Sequence, residues 1–101
     1  MIPMRRASTH PDELRLRLNW SDFQTVLAIS RHGSVAKASG PQGMTHSTLL
    51  RKLDLIESRL ETKVFNRGRV RYTLTAAGHE IERAARFAQQ AHFQFDIGFR
   101  E

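Results

Sequence analysis

The side chains best suited to chemistry form a polar and basic group at the start of one predicted helix. Apolar residues recur at i, i+4, i+7 and i+11, which predicts an amphipathic helix over residues 46–60; they are Leu49, Leu53, Ile56 and Leu60. This spacing leaves His46, Ser47, Arg51 and Lys52 away from the apolar stripe. A helix with polar, basic first turns suits the major groove of duplex DNA, where side chains reach base edges. His46, Ser47 and Thr48 are the predicted base contacts.

A second basic group consists of Arg67, Arg69 and Arg71. Residues 62–65 and 71–74 have the composition of two short strands, so 66–70 is predicted to be a hairpin loop in which Gly68 supplies a positive φ. Arginines on such a loop can form paired hydrogen bonds to phosphate. The sequence therefore predicts a phosphate-binding hairpin, against the simpler alternative of a solvated basic face.

The composition narrows the class of protein. The chain has 101 residues, 16 Lys and Arg against 10 Asp and Glu, and a net charge of +6, which favours encounter with polyanions. The absence of cysteine excludes disulfides, thiolate metal sites and cysteine nucleophiles. No apolar run approaches the roughly 20 residues of a membrane span, and the N-terminus lacks the apolar segment of a secretory signal, so a cytoplasmic protein is predicted.

An enzyme is not expected. The five histidines are scattered without the spacing of metal ligands, and the chain has no glycine-rich phosphate loop, so neither a metal nor a cofactor is predicted. Asp54 and Glu57 lie at i, i+3 and resemble a carboxylate pair. They are instead expected to stabilise their own helix through Arg51, Lys52 or Arg59 on neighbouring turns.

Capping residues divide the rest of the chain. Residues 1–18 are predicted to be a flexible arm, and 19–74 a compact domain. The first helix is expected over 21–32, with a capping box from Ser21 to Gln24 and a stop at Gly33. Ser34 is the predicted cap of a short second helix over 35–39, and Thr45 that of the helix over 46–60.

Residues 75–101 are predicted to form a long helix, to about residue 94, followed by an apolar tail. Thr75 is its predicted cap. The helix carries a narrow stripe of small and apolar residues, namely Ile81, Ala84, Ala85, Ala88 and Ala91. A helix of this length extends beyond the core of a small domain, so a second copy of the chain is the predicted partner of the stripe.

Several of these pieces occur together in one known family. They are Gly33-Ser34-Val35, Ala38, Ile56-Glu57, Leu60, Val64-Phe65-Asn66-Arg67 and Leu74-Thr75-Ala76-Ala77-Gly78. From Trp20 to about Ala88 the chain resembles the winged helix-turn-helix domain of LysR-type transcriptional regulators, without a gap from Gly33 to Glu57. The resemblance implies a mainly α fold with a three-helix core, a two-stranded wing and a long linker helix, and it implies dimers that bind duplex DNA and regulate transcription.

The resemblance also assigns roles to residues. His46 stands at a base-reading position that is usually glutamine. Ser47 stands at a position that is usually proline, and Arg51 stands at a basic position that reaches DNA. Arg67 corresponds to a wing arginine that holds phosphate or the minor groove, and Ser34 can offer its hydroxyl or amide to phosphate.

The chain also departs from the family. Gln42 replaces a leucine that buries helix 2, which predicts looser packing there or a reshaped turn. Leu50 replaces a serine near the DNA backbone, and Glu61 replaces a turn glycine. The effector-binding domain of the family is absent from the sequence, which suggests either a domain cut from a longer regulator or a natural short protein.

Two other interpretations remain. The linker helix could pair with a different regulator, which would make the chain a protein-interaction module that does not bind DNA itself. The winged domain of a molybdate-type regulator shares the Gly-Ser and Leu-Thr elements, and would retain DNA binding under another family name. For His46 the alternative is a solvated side chain beside a helix cap.

Overall fold

The computed structural model describes residues 18–100, with side chains described as far as Gln90. Within residues 18–100, helices and one hairpin follow in the order α1 (Trp20–His32), α2 (Val35–Ser39), α3 (His46–Leu60), β1 (Phe65–Arg67), β2 (Tyr72–Leu74) and α4 (Ala76–Arg100). The strands pair antiparallel, with Phe65 opposite Leu74 and Arg67 opposite Tyr72. The predicted fold class, a three-helix core with a two-stranded wing and a long C-terminal helix, is confirmed.

One apolar core joins α1, α2, α3, the wing and the first turns of α4. The predicted stripe of α3 is buried throughout, with Leu49, Leu53 and Ile56 fully inaccessible and Leu60 nearly so. Val35 and Ala38 of α2 are equally buried, so α2 packs tightly although Gln42 stands after it. The core includes residues from both predicted segments, 19–74 and 75–101, and the division between them stays a prediction.

The start of α1 differs from the prediction. Asn19, not Ser21, is the N-cap: its side-chain oxygen accepts from the Asp22 amide at 2.8 Å, and the Asp22 carboxylate accepts from the Asn19 amide at 3.1 Å. The predicted capping box of Ser21 and Gln24 is therefore wrong by two residues. Gly33 ends the helix at φ 86°, as expected of a left-handed C-cap.

The next caps agree with the prediction. The Ser34 hydroxyl accepts from the Lys37 amide at 3.0 Å, and the Thr45 hydroxyl accepts from the Thr48 amide at 3.2 Å. α3 ends at Leu60, and its C-cap Glu61 has φ 57° and ψ 36°. Glu61 is the one non-glycine residue with positive φ in the part of the chain that the structure describes. Glu61, which has a side chain, thus adopts a backbone conformation that costs less free energy for glycine.

The wing begins later than predicted. Residues 62–64 are not in β1, which starts at Phe65, and Asn66 and Arg67 belong to the strand rather than to the loop. Gly68 does not have a positive φ, so that expectation is wrong. Its lack of a side chain matters for space instead, because a Cβ there would lie 2.8 Å from the Arg71 carbonyl oxygen.

α4 starts as predicted, and then uses its small residues inside the protomer. The Thr75 hydroxyl accepts from the Gly78 amide at 3.0 Å. Ile81, Ala84 and Ala85 are 0%, 4% and 0% exposed in the chain's own core. The prediction that these three residues line a dimer interface is corrected, because they have no surface left for a partner. Ala88 is half-buried.

Some predictions fall outside the described residues. Of the arm, residues 1–17 lie outside them, and Leu18 is buried in the core. The side chain of Ala91 and those of the apolar tail also lie outside, although the backbone continues helical to Arg100. Among residues 18–100, no helix combines the length and the apolar character that crossing a membrane requires.

Candidate nucleic-acid interface

The outward face of α3 carries the predicted base contacts. His46, Ser47, Thr48 and Arg51 are all exposed. Thr45, at the N-cap, donates to the Thr48 hydroxyl at 2.9 Å as well as accepting from its amide. The first two turns of α3 therefore present hydroxyl, imidazole and guanidinium groups on a capped, ordered helix end.

Polar contacts fix one flank of α3 against α1. Lys52 Nζ donates to Ser21 Oγ at 2.6 Å, and Arg59 Nη1 pairs with Asp22 Oδ2 at 2.8 Å. The Asp22 carboxylate is buried, with a side chain 5% exposed, and it also belongs to the cap of α1. These contacts place Lys52 beside the start of α1 rather than on the centre of the outward face.

Glu57 fixes the opposite flank to the wing. Its carboxylate is 6% exposed, and Oε2 accepts from the amides of Val64 at 2.8 Å and Phe65 at 3.2 Å. Oε1 lies 2.6 Å from Arg67 Nη2 and 3.7 Å from Lys63 Nζ. These donors compensate the burial of the Glu57 carboxylate. It therefore joins α3 to β1 as one unit.

Arg67 is held by two acids of α3. Its Nη2 donates to Asp54 Oδ1 at 2.8 Å in addition to Glu57, and its side chain is 28% exposed. Burial alone would lower the pKa of Arg67, but the hydrogen bond to Asp54 and the charge of Glu57 raise it above its ordinary value. The expectation that Asp54 and Glu57 pair with Arg51, Lys52 or Arg59 is wrong, since both pair with Arg67. A DNA contact by Arg67 stays a prediction.

The loop of the wing carries the other two arginines. Arg69 and Arg71 are exposed on either side of Val70, which is 91% exposed. The Arg71 guanidinium lies beside Gly33, where a Cβ would be 3.6 Å from Nη2. The Tyr72 amide donates to the Gly33 carbonyl at 2.7 Å. The wing thus contacts the junction of α1 and α2, close to the cap residue Ser34.

Sequence reasoning missed Glu57 and Asp22 as the residues that hold the interface together. The one signal was that each is an acid beside apolar residues, and such an acid is more often solvated. Gln42 is half-buried at a small cleft between α1 and α4, and Leu50 packs against the core.

Among the described residues, no group of three or more His, Cys, Asp or Glu could hold a metal ion.

The helical core, the exposed polar start of α3 and the paired hairpin define a winged helix-turn-helix regulator. The family model of the bacterial regulatory helix-turn-helix proteins of the lysR family matches residues 20–79, which is more than half of the chain. The chain belongs to this family. The predicted resemblance is confirmed, and the family is one of DNA-binding transcription regulators rather than enzymes.

Individual proteins are also similar to the chain. The uncharacterized HTH-type transcriptional regulator YcaN of Escherichia coli (strain K12) is 33% identical over 66 residues, which are 65% of this chain and 22% of that protein. The chain therefore spans about a fifth of that relative. The similarity supports the family and leaves the activity of a whole regulator to be proposed.

Two solved structures share the fold. The structure of CbnR_DBD in complex with DNA superposes with a TM-score of 0.69 and 23% identity, covering 82% of this chain and 97% of that chain. The structure of BenM_DBD with benA site 1 DNA gives a TM-score of 0.73 and 18% identity, covering 82% and 94%. The alternative of an interaction module that does not bind DNA is not supported.

Proposed function

We propose that the chain binds duplex DNA sequence-specifically as a homodimer and regulates transcription in the bacterial cytoplasm. The observation that carries the proposal is the outward face of α3, where Ser47 and Arg51 are exposed while both flanks of the helix are fixed. A helix held in this way enters the major groove without losing its own contacts. The relatives solved with DNA have the same fold, which supports this mode of binding.

In this proposal the contacts divide into two groups. His46, Ser47, Thr48 and Arg51 read base edges, with Arg51 suited to guanine O6 and N7. The remaining predicted residues position the domain on the phosphates, namely Ser34, Thr45, Lys52, Arg67, Arg69 and Arg71. Lys52 and Arg67 have internal partners, so their contribution is smaller than that of the exposed Arg69 and Arg71.

The charge distribution along α3 supports its orientation. Arg51 and Lys52 lie in the N-terminal half, whereas Glu57 and Glu61 lie at or near the C-terminal end. Phosphates attract Arg51 and Lys52 and repel the exposed Glu61, so the N-terminal half approaches the DNA more closely.

The dimer is proposed to form through the part of α4 beyond the core. Ala88 and Ala91 remain in the proposed interface, and the exposed ring of Phe87 is added to it, since 62% of its surface is accessible. Burying such a ring between two copies stabilises a symmetric contact.

Selection of bound duplexes from a random pool tests the proposal directly. The expected result is a two-fold symmetric motif, with a binding constant that falls steeply as the salt concentration is raised from about 50 to 200 mM. A pool that shows no enrichment, or duplex binding that does not depend on salt, would contradict DNA recognition. An enriched but asymmetric single half-site would contradict the dimer alone.

A further inference from the structure

Asp54 lies on the same outward face of α3 as the predicted base contacts. It follows Ser47 by seven residues and Arg51 by three, and these spacings place the three side chains on one side of a helix. Asp54 is an exposed acid in a chain of net charge +6, and 57% of its side chain is accessible. An acid on a face that approaches phosphates weakens non-specific binding, so its presence there calls for another role.

The carboxylate of Asp54 is held in a defined orientation. Arg67 Nη2 donates to Oδ1 at 2.8 Å, and Arg67 is itself held by the buried Glu57 at 2.6 Å. No side chain or amide among residues 18–90 donates to the other oxygen, Oδ2. Asp54 therefore offers one fixed, unoccupied acceptor on the outward face.

An oriented acceptor in the major groove distinguishes between bases. Cytosine N4 is a donor there, and aspartate accepts from it. Adenine N6 is also a donor but lies beside the N7 acceptor, which a carboxylate repels, whereas guanine presents only acceptors and thymine presents an acceptor and a methyl group. A carboxylate repels those acceptors and also the phosphates, so it raises specificity while it lowers overall affinity.

We propose that Asp54 is a specificity-determining residue that accepts a hydrogen bond from the exocyclic amino group of one cytosine in each half-site. Arg67 is the positioning residue of Asp54. An arginine that the sequence assigns to phosphate binding thus also orients a base contact. The inference rests on the proposed function, because it names one base that the same interface reads.

The structure permits a clean test, since Glu57 keeps Arg67 and the wing in place when Asp54 is changed. Asp54→Ala removes the acceptor, and Asp54→Asn keeps an acceptor for Arg67 while adding a donor. Glu61→Gln is the charge-matched control, because it removes one exposed acid seven residues after Asp54, at the C-cap of α3. The full chain and the three variants are each used to select duplexes from a random pool, and their thermal unfolding is recorded.

The wild-type chain is expected to prefer cytosine over guanine at one position of each half-site by about fivefold to tenfold. Asp54→Ala loses this preference at that position alone, and Asp54→Asn shifts it towards adenine, which asparagine contacts through N6 and N7. Glu61→Gln keeps the motif. Non-specific affinity rises in the variants that lose an acid.

Three results would overturn the inference. An unchanged motif for Asp54→Ala means that Asp54 reads no base, although DNA recognition stands. An equal loss of preference at every position, with lower thermal stability, means that Asp54 only braces the wing. If the wild-type chain enriches no duplex, the proposed function and this inference are both wrong.

Discussion

Arg67 Nη2 and Glu57 Oε1 lie 2.6 Å apart, across the junction between the wing and α3, and the Glu57 side chain is 6% exposed. A basic residue of the hairpin thus has an internal partner in α3. The wing therefore has two kinds of arginine. Arg67 is bonded to α3, whereas Arg69 and Arg71 face solvent.

Arg67→Ala is expected to lower the free energy of unfolding by about 2–3 kcal/mol, because it leaves the buried Glu57 carboxylate without its closest cation. Arg69→Ala, which removes an exposed arginine two residues away, should change it by less than about 0.5 kcal/mol. Urea unfolding followed by circular dichroism measures both. Equal stability of the two variants would show that the ion pair adds nothing.

Gly78→Ala is expected to destabilise the fold by about 1–3 kcal/mol, because the new Cβ overlaps the Val64 carbonyl oxygen and lies 2.8 Å from Leu74 Cδ2. Gly40→Ala is the matched control, since nothing lies within 4 Å of its Cβ and its φ and ψ are right-handed helical. That control should be neutral or stabilising. Thermal unfolding of both variants makes the comparison, and similar losses in the two would contradict the close approach of α4 to Val64.

Glu61→Gly is expected to stabilise the chain by about 0.5–1 kcal/mol, because glycine adopts the left-handed conformation without the strain of a side chain. Glu61→Ala removes the same carboxylate but keeps a Cβ, so it should bring no such gain. If both variants gained stability equally in urea unfolding, the charge of Glu61 would be the cause rather than its backbone.

Arg51→Ala is expected to weaken specific binding more than non-specific binding, because Arg51 faces base edges in the proposed complex. Arg69→Ala should weaken both alike, since a phosphate contact is present in every sequence. Fluorescence anisotropy with a selected duplex and a scrambled one gives the ratio for each variant. An unchanged ratio for Arg51→Ala would remove its base-reading role.

Ile81→Asp is expected to unfold the chain rather than to dissociate a dimer, because it buries an unpaired carboxylate in the core. Phe87→Ser, on the exposed side of α4, should keep the circular dichroism spectrum and shift the sedimentation coefficient to that of a monomer. A folded Phe87→Ser variant that remains dimeric would place the interface elsewhere.

The parts of the fold that depend on local contacts follow from the sequence. Ser34 and Thr45 cap amides three residues away, so both helix starts are readable from neighbouring residues. The cap of α1 is not, because the pairs Asn19–Asp22 and Ser21–Gln24 have the same spacing, and the further contact of Asp22 comes from Arg59 in another helix.

Non-local contacts explain the other differences. Residues 62–64 have strand composition, yet the ladder starts at Phe65, and the amides of Val64 and Phe65 both donate to the Glu57 carboxylate. Periodicity identifies the apolar face of α4, but it does not say whether α1 or a second copy covers Ile81. Nor does composition separate Arg67 from Arg69, because the difference between them is made by two acids on α3.

The two fixed flanks of α3 have a consequence for how readily the recognition of this protein can change. Within the described residues, the side chains of Ser47, Arg51 and Ser58 form no hydrogen bond or ion pair. Substitutions at these positions leave the contacts of Glu57 and Lys52 intact, and so leave the scaffold folded. In the proposed complex with DNA, a library that varies the three together would yield new operator preferences from one stable protein, by selection in the laboratory or by descent.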